Sequence, residues 1–461
     1  RDLDLAPRAG CVIDARVGYG TDLPPGDVDL ARQAWLQELV GIDAWAMPAD
    51  WMRDECRWAL GQFLSFTVFD GSVGQPIVDL GGYGWRGFNQ REVGENAMGL
   101  SVSNPRRAEV HLRWLASRAW PNGDHPAGCN FRPIAGEQPA QPESSDTELW
   151  FLLAVGVHCL EQGHEAILDE PIPGLDGQPI SLWEHALRSW RFLVEDIGLG
   201  AHGLVRSWRG DWNDYLFPMG RAGHGESVKN SGMACRAGTM LAALARNRGD
   251  AERAARIEAW VTALRASVAA AWTGSHFLRG YTDAGRPVGD DRVFINAQSW
   301  PVLGGCGSVT QRQTALRHTL EHNATDLGLC LVNPPFPSPP PADVSSLPIP
   351  PGEGENGGVW PQAVAWFIWA LADAHMSTEA LDLWRRNTLR HHYATFPETP
   401  FGIWNGPDCY NSHLAGQRAH WTQTQLWDRR VYNPMNPSVA WQVFGMQRIL
   451  ACQPLAEARH G

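Results

Sequence analysis

Near the middle of the chain the stretch RSWRGDWNDYLFPMG sets two aspartates and an asparagine around one tryptophan, as Asp211, Trp212, Asn213 and Asp214. Cleaving a glycosidic bond requires a carboxylic acid beside the leaving oxygen, because an alkoxide leaves poorly and a proton must arrive as the bond breaks. A neighbouring indole and the exclusion of water raise a carboxyl pKa, which keeps such an acid protonated near neutral pH. The same four residues also suit a capped turn in which Asp211 and Asn213 bond their own backbone. Further acids and amides cluster in other Gly-rich stretches: Glu226 in GHGES, Glu353, Glu355 and Asn356 in GEGENGG, Asp408 and Asn411 in GPDCYN, and Asp428 beyond them. Among the histidines, His111 and His158 lie in helical patterns and read as structural, whereas His224, His413 and His420 fall in the polar stretches.

Composition narrows the chemistry. The chain has 461 residues with 23 Trp, 48 Gly and 33 Pro, and the indole count exceeds what a core needs. Aromatic faces cover the C–H surfaces of a sugar while Asp, Asn, Gln and Arg bond its hydroxyls. A net charge of -12 gives no basic footprint for nucleic acid. Nine scattered cysteines without a CxxC pair favour neither a zinc site nor a disulfide scaffold and suggest a reducing, cytoplasmic setting. No apolar run of about 18 residues suggests a membrane span. Lys229 is the only lysine, which reads as a compositional bias toward Arg.

The elements that would position these residues are helices. Segments such as DVDLARQAWLQELVGI, DTELWFLLAVGVHCLEQG, SLWEHALRSWRFLVEDIG, AERAARIEAWVTALRASVAAAW and GVWPQAVAWFIWALADAH repeat apolar residues at three- and four-residue spacing. Asp146 and Ser377 stand as N-caps of two of them. Paired helices with few strand patterns predict an all-α toroid of helical hairpins. Tight turns such as ARNRGDAERA would close one end, and long loops, including VDLGGYGWRGFNQREVGEN and HGLVRSWRGDWNDYLFPMGRAGHGESVKN (202–230), would form a cleft at the other. PFPSPPPADVSSLPIPP, at 335–351, reads as a stiff connector. Residues 1–45 read as a strand-like remnant and a linker helix, as if trimmed from a longer protein, and 46–461 as the barrel.

HGLVRSWRGDWND with GHGESV, the segment HFLRGYTDAGRPVGDDRVFINAQSWPVLGG, ILDEPIP, and GEGENGGVWPQAVAWFIWALA together resemble glycoside hydrolase family 94, the cellobiose, cellodextrin and chitobiose phosphorylases, over about residues 45–450. The resemblance implies an (α/α)6 barrel, normally preceded by a β-sandwich domain, and often a homodimer. It implies Asp214 as general acid, Trp212 in the donor-sugar subsite, no cofactor and no metal, and inorganic phosphate attacking the anomeric carbon with inversion. Arg86 and Gln90 match the donor-site motif, with Gly87 where an aspartate is usual. Gln362 stands where a phosphate-binding His is usual, and NPMNPSVAW, with Ser438, replaces a Gly-Thr or Gly-Ser pair. Asp211, Asn213, Arg221, Glu226, Gln298, Glu355 and Trp360 complete the expected substrate side, with Gln362, His420 and Ser438 on the nucleophile side. Cations for a phosphate would come from Arg86, Arg221, Arg279, Arg429, Arg430 or His420. If water attacks instead, a carboxylate base about 6.5–9.5 Å from the acid is needed, and Glu355, Asp408 and Asp428 are its candidates. A barrel that binds carbohydrate without turning it over is the remaining alternative. The expected partner is an oligosaccharide or β-glucoside, with no nucleic acid and no membrane.

Overall fold

The computed structural model describes residues 28–70, 75–78, 88–126, 128–129, 142, 144–395, 408–415 and 436–451. In chain order its α-helices are α1 (Val28–Leu39), α2 (Asp50–Ser65), α3 (Gln90–Ser103), α4 (Pro105–Ser117), α5 (Thr147–Gly156), α6 (Leu182–Phe192), α7 (Val228–Asn247), α8 (Ala251–Ala270), α9 (Asn296–Leu303), α10 (Val309–His322), α11 (Pro361–Asp373), α12 (Ser377–Arg386), α13 (Leu389–Thr395) and α14 (Asn436–Ala451). Helices α3, α5, α7, α9, α11 and α14 pack side by side, and α14 returns to α3 to close the ring. Outside them α4 packs on α3, α6 on α5, α8 on α7, α10 on α9, α12 on α11 and α2 on α14. The fold is the expected (α/α)6 barrel. The strands among the described residues form only short antiparallel pairs and one three-stranded ribbon in the loops.

Inner and outer helices differ in sequence because they differ in what surrounds them. The outer α6 buries Leu182, His185, Ala186, Ser189 and Trp190, a single stripe, and Ser181 caps it by accepting from the Glu184 N–H. The inner α5 is buried on all sides, and α11 on all but Asp373, so both read as continuous apolar runs. Glycines let the inner helices approach closely: a Cβ on Gly232 would lie 2.5 Å from the backbone of Trp300, and one on Gly99 would lie 2.9 Å from the Ala440 Cβ. Trp150, Trp300, Trp366, Trp369 and Trp441 meet within the ring at centroid distances of 5.3–6.3 Å. Much of the indole excess therefore fills the barrel itself.

Four expectations need correction. Residues Gln90–Asn96, read as loop, are the first half of α3, and α9 also went unrecognised. All of α3 is buried and its polar residues Gln90, Glu92, Glu95 and Asn96 break any amphipathic period, while α9 has eight residues and contains Pro301. Asp146 occupies the N-cap position of α5 without a side-chain cap bond, because its carboxylate is drawn to cations on other helices. Ser377 is the first residue of α12, after Met376, and also makes no cap. The Pro-rich stretch is packed: Phe336, Val344 and Ile349 form a cluster with Tyr215, Leu216, Met219 and Phe294, directly under the turn that follows Asn213.

The strand-like segment CVIDARVGYG lies outside the described residues. Cys56, Cys159, Cys235, Cys306, Cys330 and Cys409 are free and buried. Among the described residues no helix is long and apolar enough to cross a membrane.

Candidate active site

An inner helix is always entered from an outer one, so the outer-to-inner connections gather at one end of the barrel. These connections are all long, whereas at the other end only 157–181, between α5 and α6, is, and the N-termini of the six inner helices point into the end that the outer-to-inner connections build. The loop between α6 and α7 carries Asp211–Asp214. Asp211 is buried and accepts from Arg279 Nη2 at 2.7 and 2.6 Å, from Ser227 Oγ at 2.9 Å and from the Asn213 N–H at 2.9 Å. Burial pushes its pKa up, and Arg279 and Lys229 outweigh that and hold it below the usual carboxylate range. Asn213 accepts from Arg279 and Asn296 at 3.0 and 2.7 Å and donates to Glu355 Oε2 at 3.0 Å. Trp212 is buried edge-on between Trp360 and Trp366, each at 5.0 Å. These three side chains are thus spent on holding the loop.

Asp214 begins a 3-10 turn (Asp214–Gly220), and its side chain, 55% exposed, faces the space that the loops enclose. Among the described residues its carboxylate meets a single cation, Arg91 Nη1, at 3.9 Å. The crowding of protein around it raises its pKa to about 6; Arg91 opposes the rise, and Asp146 and Asp211 add to it. Among the described residues three further buried carboxyls share its field. Glu355 accepts from the Asn213 amide and the Tyr215 N–H at 3.0 and 3.2 Å, yet burial and Asp214 raise its pKa well above the usual range. Asp408 is raised by burial, Glu92 and Asp214, and its Oδ1 has no partner among the described residues. Glu92 is pushed up to about 7, mainly by burial.

Behind Asp214 stands an ion cluster. Asp146 is fully buried; it accepts from Arg91 Nε and Nη2 at 3.3 and 3.1 Å, from Lys229 Nζ at 3.1 Å, from Trp150 Nε1 at 3.1 Å and from Ser144 Oγ at 2.7 Å. Burial pulls its pKa upward, and Arg91 and Lys229 hold it well below the usual range. Sequence reasoning missed Arg91, Asp146 and Lys229 as site residues. The one signal in the sequence was the placement of the only lysine at the start of the helix that follows GHGES.

The remaining expected residues are dispersed. Gln90 is buried on the first turn of α3, with Nε2 3.4 Å from the Arg118 carbonyl. Arg221 is exposed just after the turn that Asp214 begins. Glu226 is buried under the His202–Leu204 segment, accepting from both backbone N–H groups and pairing with His202. Gln298 is buried in the barrel wall, where its amide joins Phe277 and Phe294. Trp360 Nε1 donates to the Gly354 carbonyl at 2.9 Å. Ser438 is buried on the first turn of α14, and its Oγ has no partner among the described residues. Arg86, His420, Asp428, Arg429 and Arg430 lie outside the described residues.

Gln362 is buried and donates to Glu95 Oε2 at 2.5 Å, and Trp441 Nε1 donates to the same oxygen at 2.6 Å. Burial and Glu92 raise the Glu95 pKa to about 8. A folded pKa raised above the unfolded one makes the contribution to stability complete below the unfolded value and lost as pH rises through the folded value. Thermal unfolding between pH 5 and 9 should therefore show stability falling by up to about 4 kcal/mol from this group, at about 1.4 kcal/mol per unit. In Glu95→Gln, whose neutral amide oxygen accepts the same two bonds, that part of the decline should disappear.

Known proteins share this framework. The chain is 30% identical over 309 residues to solabiose phosphorylase of Paenibacillus borealis, covering 65% of this chain and 39% of that protein. It is 27% identical over 372 residues to the cyclic beta-(1,2)-glucan synthase NdvB of Rhizobium meliloti (strain 1021), covering 73% of this chain and 13% of that one. The matched region thus spans well under half of either relative. Among solved structures, a glycosidase variant in complex with glucose superposes with a TM-score of 0.61 at 14% identity, over 89% of this chain and 100% of that chain. The GH63 mannosylglycerate hydrolase of Thermus thermophilus in complex with glucose gives 0.55 at 14%, over 84% and 98%. Both structural likenesses bear on the fold alone. The profile of the glycosyl hydrolase 94 superfamily catalytic domain matches residues 77–395, and the chain belongs to that family.

Proposed function

We propose that this barrel cleaves, and in reverse forms, a β-glycosidic bond in a glucoside or oligosaccharide with inversion, with Asp214 as general acid and inorganic phosphate as nucleophile. The observation that carries this reading is the placement of Asp214: its carboxyl opens onto the loop-lined end of the barrel while Glu92, Glu355 and Asp408 around it are buried, and its pKa is raised to about 6. A carboxyl with that pKa is protonated often enough near neutral pH to donate and ionises readily once it has.

Two features support phosphate over water. Burial raises the pKa of Glu355 and Asp408, the carboxylates that could act as a base, well above the usual range, which disfavours the ionised form that a base needs. A phosphate needs no base, and carboxyls that resist ionisation repel it less than ordinary carboxylates would. The N-termini of the six inner helices also face this end, and helix N-termini favour anions. Membership of a family whose relatives include named phosphorylases agrees with this choice.

Cellobiose, laminaribiose, sophorose and chitobiose, each incubated with and without phosphate, form the test. The expected outcome is a sugar 1-phosphate from at least one of them, with turnover dependent on phosphate. Free sugar at the same rate without phosphate would assign the attack to water, with Glu355 or Asp408 as base. Binding by calorimetry with no turnover of any substrate would leave a carbohydrate-binding barrel.

A further inference from the structure

The cation beside the proton donor is itself held from behind. Arg91 lies on the first turn of α3, and among the described residues its guanidinium has one edge without a hydrogen bond, that of Nη1. Nε and Nη2 are committed to Asp146 Oδ1, and Nη2 also donates to the Asp211 carbonyl at 3.1 Å. The other carboxylate oxygen of Asp146 is taken by Lys229 and Trp150, and the Lys229 ammonium sits 5.7 Å from the centre of the Trp150 ring. Arg91 cannot swing to Asp214 without abandoning Asp146, and at 3.9 Å its Nη1 stops beyond hydrogen-bond distance.

We propose that Arg91 is a positioning residue for the proton donor, fixed by the Asp146–Lys229 clamp close enough to stabilise the Asp214 carboxylate as it forms and too far to keep it ionised beforehand. The proposal rests on the reading of Asp214 as general acid. In that step the Asp214 proton passes to the glycosidic oxygen, the C1–O bonding pair leaves with that oxygen, and the nucleophile's lone pair forms the new bond to C1. The full negative charge appears on Asp214 only then, so the attraction of the fixed Arg91 is weak in the ground state and grows along the reaction, and only such differential interactions lower the barrier. Among the described residues the other charged groups whose fields reach Asp214 are Glu92 beside Arg91, Asp146 at the start of α5, Asp211, and Glu355 and Asp408 from the later loops, with Lys229 paired to Asp146 and Arg279 to Asp211.

Opposite substitutions should move the Asp214 titration in opposite directions. Arg91→Met removes the opposing cation and should raise the pKa by about one unit or more, whereas Asp146→Asn removes a nearby negative charge and frees Arg91 to pair with Asp214, which should lower it by a similar amount. Carbon-13 NMR of labelled aspartate carboxyls, with Asp214 identified by its loss in Asp214→Asn, reads both shifts without needing turnover. The basic limb of the kcat/KM profile should follow them, and Arg91→Lys should stay closest to the parent. A merely structural role would lower activity without moving the titration. An Asp214 pKa unchanged in whichever of the folded variants is obtained, or shifted the same way in Arg91→Met and Asp146→Asn, overturns the proposal. Failure of the general-acid reading would show separately, as full turnover in Asp214→Asn.

Discussion

Replacing Asp214 by Asn is expected to lower turnover of an unactivated β-glucoside by about 10²–10⁴, the range usual for losing a general acid, and to leave the protein folded. The amide has the size of the acid and keeps hydrogen-bonding capacity, yet it has no proton to deliver. Little stability is at stake, because the side chain is 55% exposed and its ionic contact with Arg91 is long, at 3.9 Å. Substitutions at such sites usually fall within about 0.5 kcal/mol. Steady-state kinetics beside a thermal melt separates the two effects: kcat should collapse while Tm and sugar binding stay near those of the parent. In the parent the donor must be protonated, so the rate should fall as pH rises past about 6, and Asp214→Asn should lose that limb.

Three residues earlier the same substitution should do the reverse. Asp211→Asn removes the counter-charge of Arg279, whose side chain is fully buried, and leaves its guanidinium facing a neutral amide. Breaking a buried pair by removing one partner typically costs about 3–5 kcal/mol. The loss should appear in urea or thermal unfolding, with the activity of the molecules that remain folded reduced far less than in Asp214→Asn. Both aspartates belong to DWND, and the difference lies in what surrounds them: Arg279, Ser227 and the Asn213 backbone enclose one, and the loop-lined space receives the other.

The hairpin barrel was legible because helix periodicity is local and recurs. Its two unrecognised helices show where that signal fails. Helix α3 is surrounded by protein on every side and α9 is eight residues long with an internal proline, so neither displays a polar face against an apolar one. The candidate cluster was legible where composition and motif coincide: Asp214, Glu355 and Asp408, from three separate stretches, lie within one another's fields. It was illegible where function depends on contacts between distant segments. Nothing near Lys229 in the sequence says that it meets Asp146, which lies 83 residues away, or that Asp146 would prefer two cations to capping its own helix. Tryptophan was legible only in part: the count pointed to sugar, while Trp150, Trp300, Trp366 and Trp441 fill the ring, and even Trp212 is packed edge-on between two other indoles.

The central assignment, that the proton comes from Asp214, is tested most directly by the leaving-group dependence of Asp214→Asn. A 2,4-dinitrophenyl glycoside departs with little need of protonation, whereas a disaccharide departs only if its oxygen is protonated. Rates of mutant and parent should be measured on both, using the sugar identified by the phosphate-dependent assay. The expected result is a mutant that recovers most of the parental rate on the dinitrophenyl substrate and stays about 10²–10⁴ slower on the disaccharide. Equal impairment on both substrates, or that same leaving-group pattern in Asp211→Asn, would contradict it and move the proton to another carboxyl.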